Sequence, residues 1–148
     1  MNYEKLFLFL LRVSLGWLLL YSGLVKILDS SWTAAGYLKG AKTFGSFYQW
    51  LASPEVMPLT NFLNEWGLTL LGVSLLLGVG VRWSGILGAL LMLLYYFPVL
   101  EFPYIGGHSF LVDEHIVYIF SLLVLAFADA GRTWGLEGRI PLLSRFLK

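Results

Sequence analysis

Residues 113–135 read DEHIVYIFSLLVLAFADAGRTWG. Asp113, Glu114 and His115 stand at the mouth of an apolar run that Asp129 and Arg132 close. A helix needs about 20 apolar residues to cross a bilayer, and this run reaches that length if it begins at the acidic cluster. Such a helix holds the cluster at one membrane face and Arg132 at the other. Lipid is then the solvent in which the rest of the chain must fold.

The composition agrees. Of 148 residues, 58% are hydrophobic and 13% charged, against about 25% charged in soluble domains; mean hydropathy is +0.76. The net charge of +1 gives no electrostatic case for nucleic acid. Six Trp suit membrane interfaces. With no cysteine, disulfides, thiol relays, Cys zinc sites and Cys-ligated iron–sulfur clusters are excluded.

Working outward, three more apolar runs accompany the one at 113–130: residues 4–28, 60–81 and 83–100. The first has too long a core for a cleaved signal peptide and no Ala-x-Ala-like site after it, so it reads as a retained span. At about 100° per residue, Arg12, Gly16, Leu19, Gly23 and Lys26 share one face, a strip of charge and small residues suited to a bundle interior. On the second run Asn61, Glu65, Leu68 and Gly72 share a face; on the fourth, Glu114, Tyr118, Ser121 and Ala128 do. Ser84, Gly85, Gly88 and Ala89 offer close helix contact on the third. Between the first two spans Tyr37, Phe44, Tyr48 and Leu51 recur at helical spacing, which predicts one or two short helices lying on the membrane surface. The predicted fold is an all-α, integral membrane four-helix bundle, one domain over residues 1–148, with a short interfacial helical segment.

An even number of spans puts both termini on one side. That side holds Lys5, Arg82, Arg132, Arg139, Arg145 and Lys148, and the other Lys26, Lys39 and Lys42, so both termini are predicted to be cytoplasmic in a multi-pass protein of the cell membrane. Asp29, Glu55, Glu65, Glu101, His108, Asp113, Glu114 and His115 then gather at the outer face.

Several segments together resemble the DoxX family of small membrane proteins, in particular its DoxD-type branch. They are RVSLGWLLLYSGLVKILD at 12–29, SWTAAGYL at 31–38, LLLGVGVR at 75–82, DEHIVY at 113–118 and GRTWGL at 131–136. The resemblance covers nearly the whole chain, and it rests on the order and spacing of these pieces. It implies a four-helix membrane bundle and a place among subunits of redox enzymes. The DoxD-type relative is the small subunit of a thiosulfate:quinone oxidoreductase; other members are placed with oxidative-stress complexes or membrane-protein assembly.

The polar residues admit two readings each. Arg12 and Lys26 either snorkel to opposite interfaces or line an internal cavity, with Lys26 near Glu65, Asp29 or Asp113. A cation there holds an anionic sulfur substrate or polarises a quinone carbonyl. Glu65, beside Asn61 and Asn64, lies at the interface at little cost or, deeper in the membrane, relays protons. Asp113 caps the fourth helix, or His108, Asp113, Glu114 and His115 carry chemistry: His115 in quinol or proton transfer, or the group as metal ligands, although the spacing matches no established signature and no metal is assigned. The aromatic segment Trp32 to Trp50 is an interfacial girdle or a lid over a cleft. A bis-His haem lacks ligands on facing helices, and there is no flavin fingerprint.

The expected function is therefore a membrane subunit of a quinone-linked oxidoreductase, with quinone as cofactor. Its expected catalytic residues are Glu65 and His115, with Arg12, Lys26, Asp113 and Glu114 on the quinone. Its partners are the bilayer and other membrane redox subunits or further copies of itself. The rival is a non-catalytic scaffold or assembly factor; transport is weaker, since four short spans leave little room for alternating access.

Overall fold

A computed structural model describes residues 2–107 and 109–139. His108, the apolar patch at 140–143 and the charges Arg145 and Lys148 lie outside the described residues.

Four helices carry the fold: α1 (Tyr3–Leu28), α4 (Met57–Leu77), α5 (Val81–Val99) and α6 (Glu114–Phe127). Two shorter ones, α2 (Ala35–Lys39) and α3 (Gly45–Leu51), fill the expected segment between α1 and α4. α1 and α5 are each long and apolar enough to cross a membrane. α4 has the length, but Asn61, Asn64 and Glu65 dilute its first half. α6 has only 14 residues, fewer than expected, because Asp129 adopts a left-handed backbone (φ 49°) just beyond its C-cap, Ala128.

α1 packs along α4 and α5 along α6, and the α4–α5 and α1–α6 contacts close the bundle. Its core is Leu15, Leu19, Leu68, Leu75, Met92, Leu122 and Leu125. The first pair is drawn together by glycines. A Cβ at Gly72 would stand 2.7 Å from the Gly16 carbonyl oxygen, and one at Gly23 would stand 2.6 Å from the Thr69 nitrogen. Gly85 does the same for the second pair, with the Leu122 carbonyl 2.6 Å away from such a Cβ. The strip expected on α1 is the one buried: Arg12, Gly16, Leu19 and Gly23 face inward. On α6 the buried face is a different one from that of Glu114 and Ala128. Leu122, Leu125 and Ala126 form the buried face, and Glu114 and Ala128 are exposed.

The segment holding α2 and α3 packs back onto the bundle. Pro98 has no N–H to give the carbonyl of Leu94, four residues earlier. The Tyr48 hydroxyl donates to that carbonyl instead, at 2.9 Å, and Tyr48 is only 1% exposed. The Lys42 N–H donates to the Pro98 carbonyl (3.0 Å), the Thr43 hydroxyl to that of Leu100 (2.6 Å) and the Tyr37 hydroxyl to that of Tyr95.

Between α5 and α6, where a loop is expected, the chain forms a three-stranded antiparallel sheet: β1 (Leu100–Glu101), β2 (Tyr104–Ile105) and β3 (Ser109–Phe110). Leu100 pairs with Ile105, and Ile105 with Ser109. Pairs of two residues are too short to show as an alternating pattern in the sequence.

Candidate functional site

The end of the bundle where α1 and α5 finish and α6 begins holds a cleft of about 480 Å³. Its walls are Trp32, Thr33, Ala34 and Tyr37 from the packed-back segment, Asn64 from α4, and Tyr95 and Val99 from α5. Lys26 of α1 and Glu114 and His115 of α6 complete it. Lys26 and the neighbouring pair Glu114 and His115, far apart in sequence and singled out for their chemistry, are thus brought to one opening.

Asp113 stands behind His115. As N-cap of α6 its Oδ1 accepts the His115 and Ile116 N–H groups at 3.0 and 3.3 Å, and its Oδ2 lies 2.6 Å from His115 Nδ1. The carboxylate caps the helix, one of the two readings given to this residue, and it also holds the imidazole through Nδ1. With Nδ1 engaged, Nε2 is the nitrogen left to meet a ligand. The His115 side chain is 17% exposed and that of Asp113 11%. The Tyr95 ring and the imidazole stand nearly perpendicular, with centroids 6.3 Å apart.

Lys26 Nζ donates to the Ser22 carbonyl at 3.3 Å and lies 5.3 Å from the centroid of the Trp32 ring. An ammonium over an indole face is held by the ring quadrupole, so Trp32 and α1 together fix its position. Among the described residues, no carboxylate lies within ion-pair distance of Lys26. Tyr95 donates its hydroxyl to Asn64 Oδ1, and Asn61 Oδ1 accepts the Ala34 N–H at 3.1 Å, tying the packed-back segment to α4. Desolvation, reinforced by Tyr48, Asp113 and Glu114, pushes the Tyr37 hydroxyl up to about 12, so at neutral pH it remains a donor.

Two expected site residues stand apart. Glu65 is half-buried on α4 and does not line the cleft. Arg12 is fully buried (0% exposed) at the opposite end of α1, 14 residues or roughly 21 Å from Lys26 along the helix. Its Nη1 donates to the Leu75 carbonyl at 2.9 Å and its Nη2 to that of Thr133 at 3.3 Å. The positive charge thereby sits on the negative C-terminal end of α4, and Arg12 ties the chain after α6 to the first helix pair. Among the described residues, no three His, Cys, Asp or Glu side chains gather as a metal site would require.

Sequence reasoning did not single out Tyr95. The available signal was a hydroxyl on an apolar span, which needs a partner when buried.

A family model, DoxX, matches residues 7–100, well over half of the chain. No curated protein and no solved structure matches it. The matched region runs from α1 through α5, so it contains the Lys26, Trp32, Tyr37, Asn64 and Tyr95 walls of the cleft, while Asp113, Glu114 and His115 lie beyond it. The chain belongs to the DoxX family of membrane proteins.

Proposed function

We propose that this protein is the quinone-docking subunit of a membrane oxidoreductase, spanning the cell membrane four times with both termini cytoplasmic. The cleft then opens at the outer face. The observation that carries the reading is the Asp113–His115 pair, 2.6 Å apart, standing at a cleft that also holds Lys26.

The cleft's chemistry favours a neutral carbonyl ligand over an anionic sulfur compound. One ammonium, Lys26, shares it with the carboxylate of Glu114, and Asp113 lies just behind. The Glu114 carboxylate offsets what an anion would gain from Lys26, while a carbonyl oxygen can accept from Lys26 Nζ or His115 Nε2. The flat faces of Trp32, Tyr37 and Tyr95 suit a ring, and about 480 Å³ is within the size of a small-ligand pocket.

A bound quinone supplies an electron-accepting ring. The electrons come from a donor carried by a partner subunit, and this chain's share is docking and protons. Lys26 orients one carbonyl, and His115, held by Asp113, gives or takes the proton at the other through Nε2. Glu114, exposed at the cleft rim, exchanges protons with water.

The rival scaffold reading would use the glycine-lined helix faces to hold a partner. Gly16, Gly23, Gly72 and Gly85 are instead consumed by contacts inside the bundle.

The test is binding of a short-chain quinone to the purified protein in mild detergent, followed by tryptophan quenching. Saturable binding that weakens at least about tenfold in Lys26→Ala and His115→Ala is expected, a loss on the scale of one or two charge-assisted hydrogen bonds. Absence of binding, or binding indifferent to both changes, would overturn the proposal.

A further inference from the structure

We propose that the small β1–β3 sheet and the chain joining it to α6 are inserted into the interfacial layer of the adjacent leaflet, so that the α6 N-terminus and its Asp113–His115 pair sit at the boundary of the acyl chains. This rests on geometry and composition and is independent of what the cleft binds.

Length comes first. At 1.5 Å per residue the 14 residues of α6 rise only about 21 Å, while the hydrocarbon layer is about 30 Å thick. The neighbouring α5, with 19 residues, rises about 28 Å. A helix this short cannot hold both its ends in the headgroups; other parts of the chain must fill the missing depth. On the side of the cleft, the chain next to α6 is the sheet.

Surface character points the same way. Phe102, Tyr104, Phe110 and Val112 are 76, 60, 62 and 56% exposed. The two helices that the sheet joins also carry exposed apolar side chains, Val117, Phe120, Val124 and Phe127 on α6 and Leu87, Leu90 and Leu94 on α5. Residues 102–112 contain no Asp, Glu, Lys or Arg, and the single acidic or basic residue of the three strands is the exposed Glu101 of β1. Exposed aromatic and aliphatic side chains between two helices with exposed apolar faces match the interfacial layer rather than bulk water.

The third observation concerns the backbone, which must satisfy its polar groups before it leaves water. The strands pair with each other, and the flanking chain is also bonded. The Leu111 N–H donates to the Pro103 carbonyl at 3.0 Å, the Val112 N–H to that of Phe110 at 2.7 Å, and the Tyr96 hydroxyl to that of Leu111 at 2.7 Å. Shallow insertion therefore meets a backbone that is already partly paired.

The natural chain has no cysteine, so single-cysteine variants Phe102→Cys, Phe110→Cys and Val112→Cys each report one position. Leu90→Cys, mid-span on α5, and Lys39→Cys on α2 are the apolar and aqueous comparators. Each is nitroxide-labelled, reconstituted in phosphatidylethanolamine–phosphatidylglycerol vesicles, and its collision rates with oxygen and with a water-soluble nickel chelate are compared. We expect the oxygen-to-nickel ratio at the three sheet positions to exceed that at position 39 several-fold and to approach that at position 90. Ratios equal to that at position 39 would overturn the proposal and leave the sheet as a water-facing surface for another protein. If one variant fails to reconstitute, the other two decide, with brominated-lipid quenching of bimane at the same positions as an independent measure of depth.

Discussion

One carboxylate serves two ends of His115. Asp113 Oδ1 accepts the backbone N–H of His115 at 3.0 Å, and its Oδ2 lies 2.6 Å from the ring Nδ1 of the same residue. The helix start and the imidazole orientation are consequently set by one side chain. A change at Asp113 need not affect both, and that makes the two roles separable.

Asp113→Asn keeps a capping oxygen and loses the charge, whereas Asp113→Ala loses both. Capping is worth about 1 kcal/mol, so the Ala variant should melt earlier in detergent and the Asn variant should stay near the parent. Quinone-dependent turnover of the assembled complex should fall in both, by about 10²-fold if His115 moves the proton. Equal turnover in parent and Asn variants would remove the proton role from His115.

Arg12 should behave in the opposite way. Arg12→Ala leaves the Leu75 and Thr133 carbonyls without their donor and opens a void, a loss of roughly 2–4 kcal/mol. Thermal unfolding in detergent should register this, and Arg12→Lys, with a single ammonium in place of a fork, should recover only part of it. Quinone affinity per folded molecule should not change, because the cleft is at the other end of α1. A specific loss of affinity would return Arg12 to the site.

The glycines give a contrast within α4. Gly72→Ala drives a methyl into the Leu20 backbone and toward the Gly16 carbonyl oxygen, 2.7 Å from the new carbon, while Gly67 has open space around it. Forcing α1 and α4 apart should cost about 1–3 kcal/mol, and Gly67→Ala should be neutral or slightly stabilising. Melting temperatures of the two variants in one detergent decide this. Equal values would mean that the helices do not pack through Gly72.

Tyr37 predicts a pH dependence. Its hydroxyl titrates near 12 in the folded protein against an ordinary 10.0, mainly because of burial. The unfolded chain therefore releases this proton first as pH rises, and stability falls progressively from about pH 10 to pH 12. Tyr37→Phe should flatten that slope in melts recorded between pH 9 and 12, and should lower stability at neutral pH by losing the bond to the Tyr95 carbonyl. An unchanged alkaline slope would assign the effect to other groups.

Period and hydropathy alone determined a good deal of this molecule. A charge and three small or apolar residues at helical spacing, Arg12, Gly16, Leu19 and Gly23, favour an inward face, and that face is the buried one. An acidic pair before an apolar run marks a helix start, and Asp113 is the N-cap of α6. Both are local: the residues that give the signal are the residues that respond to it.

Only the tertiary structure decided the partners. Pro98 announces in sequence that a carbonyl will lack its helical donor, but nothing local says that Tyr48, 46 positions away from Leu94, will supply one. Lys26, Tyr95 and His115 come from three helices and meet only when α1–α4 and α5–α6 are docked. Arg12 shares a helix face with Lys26 and still belongs to the other end, because helical periodicity specifies direction around the axis and says nothing of which neighbour waits at each level. Depth and partnership come from packing between distant segments, where many sequences of the same pattern would pair differently.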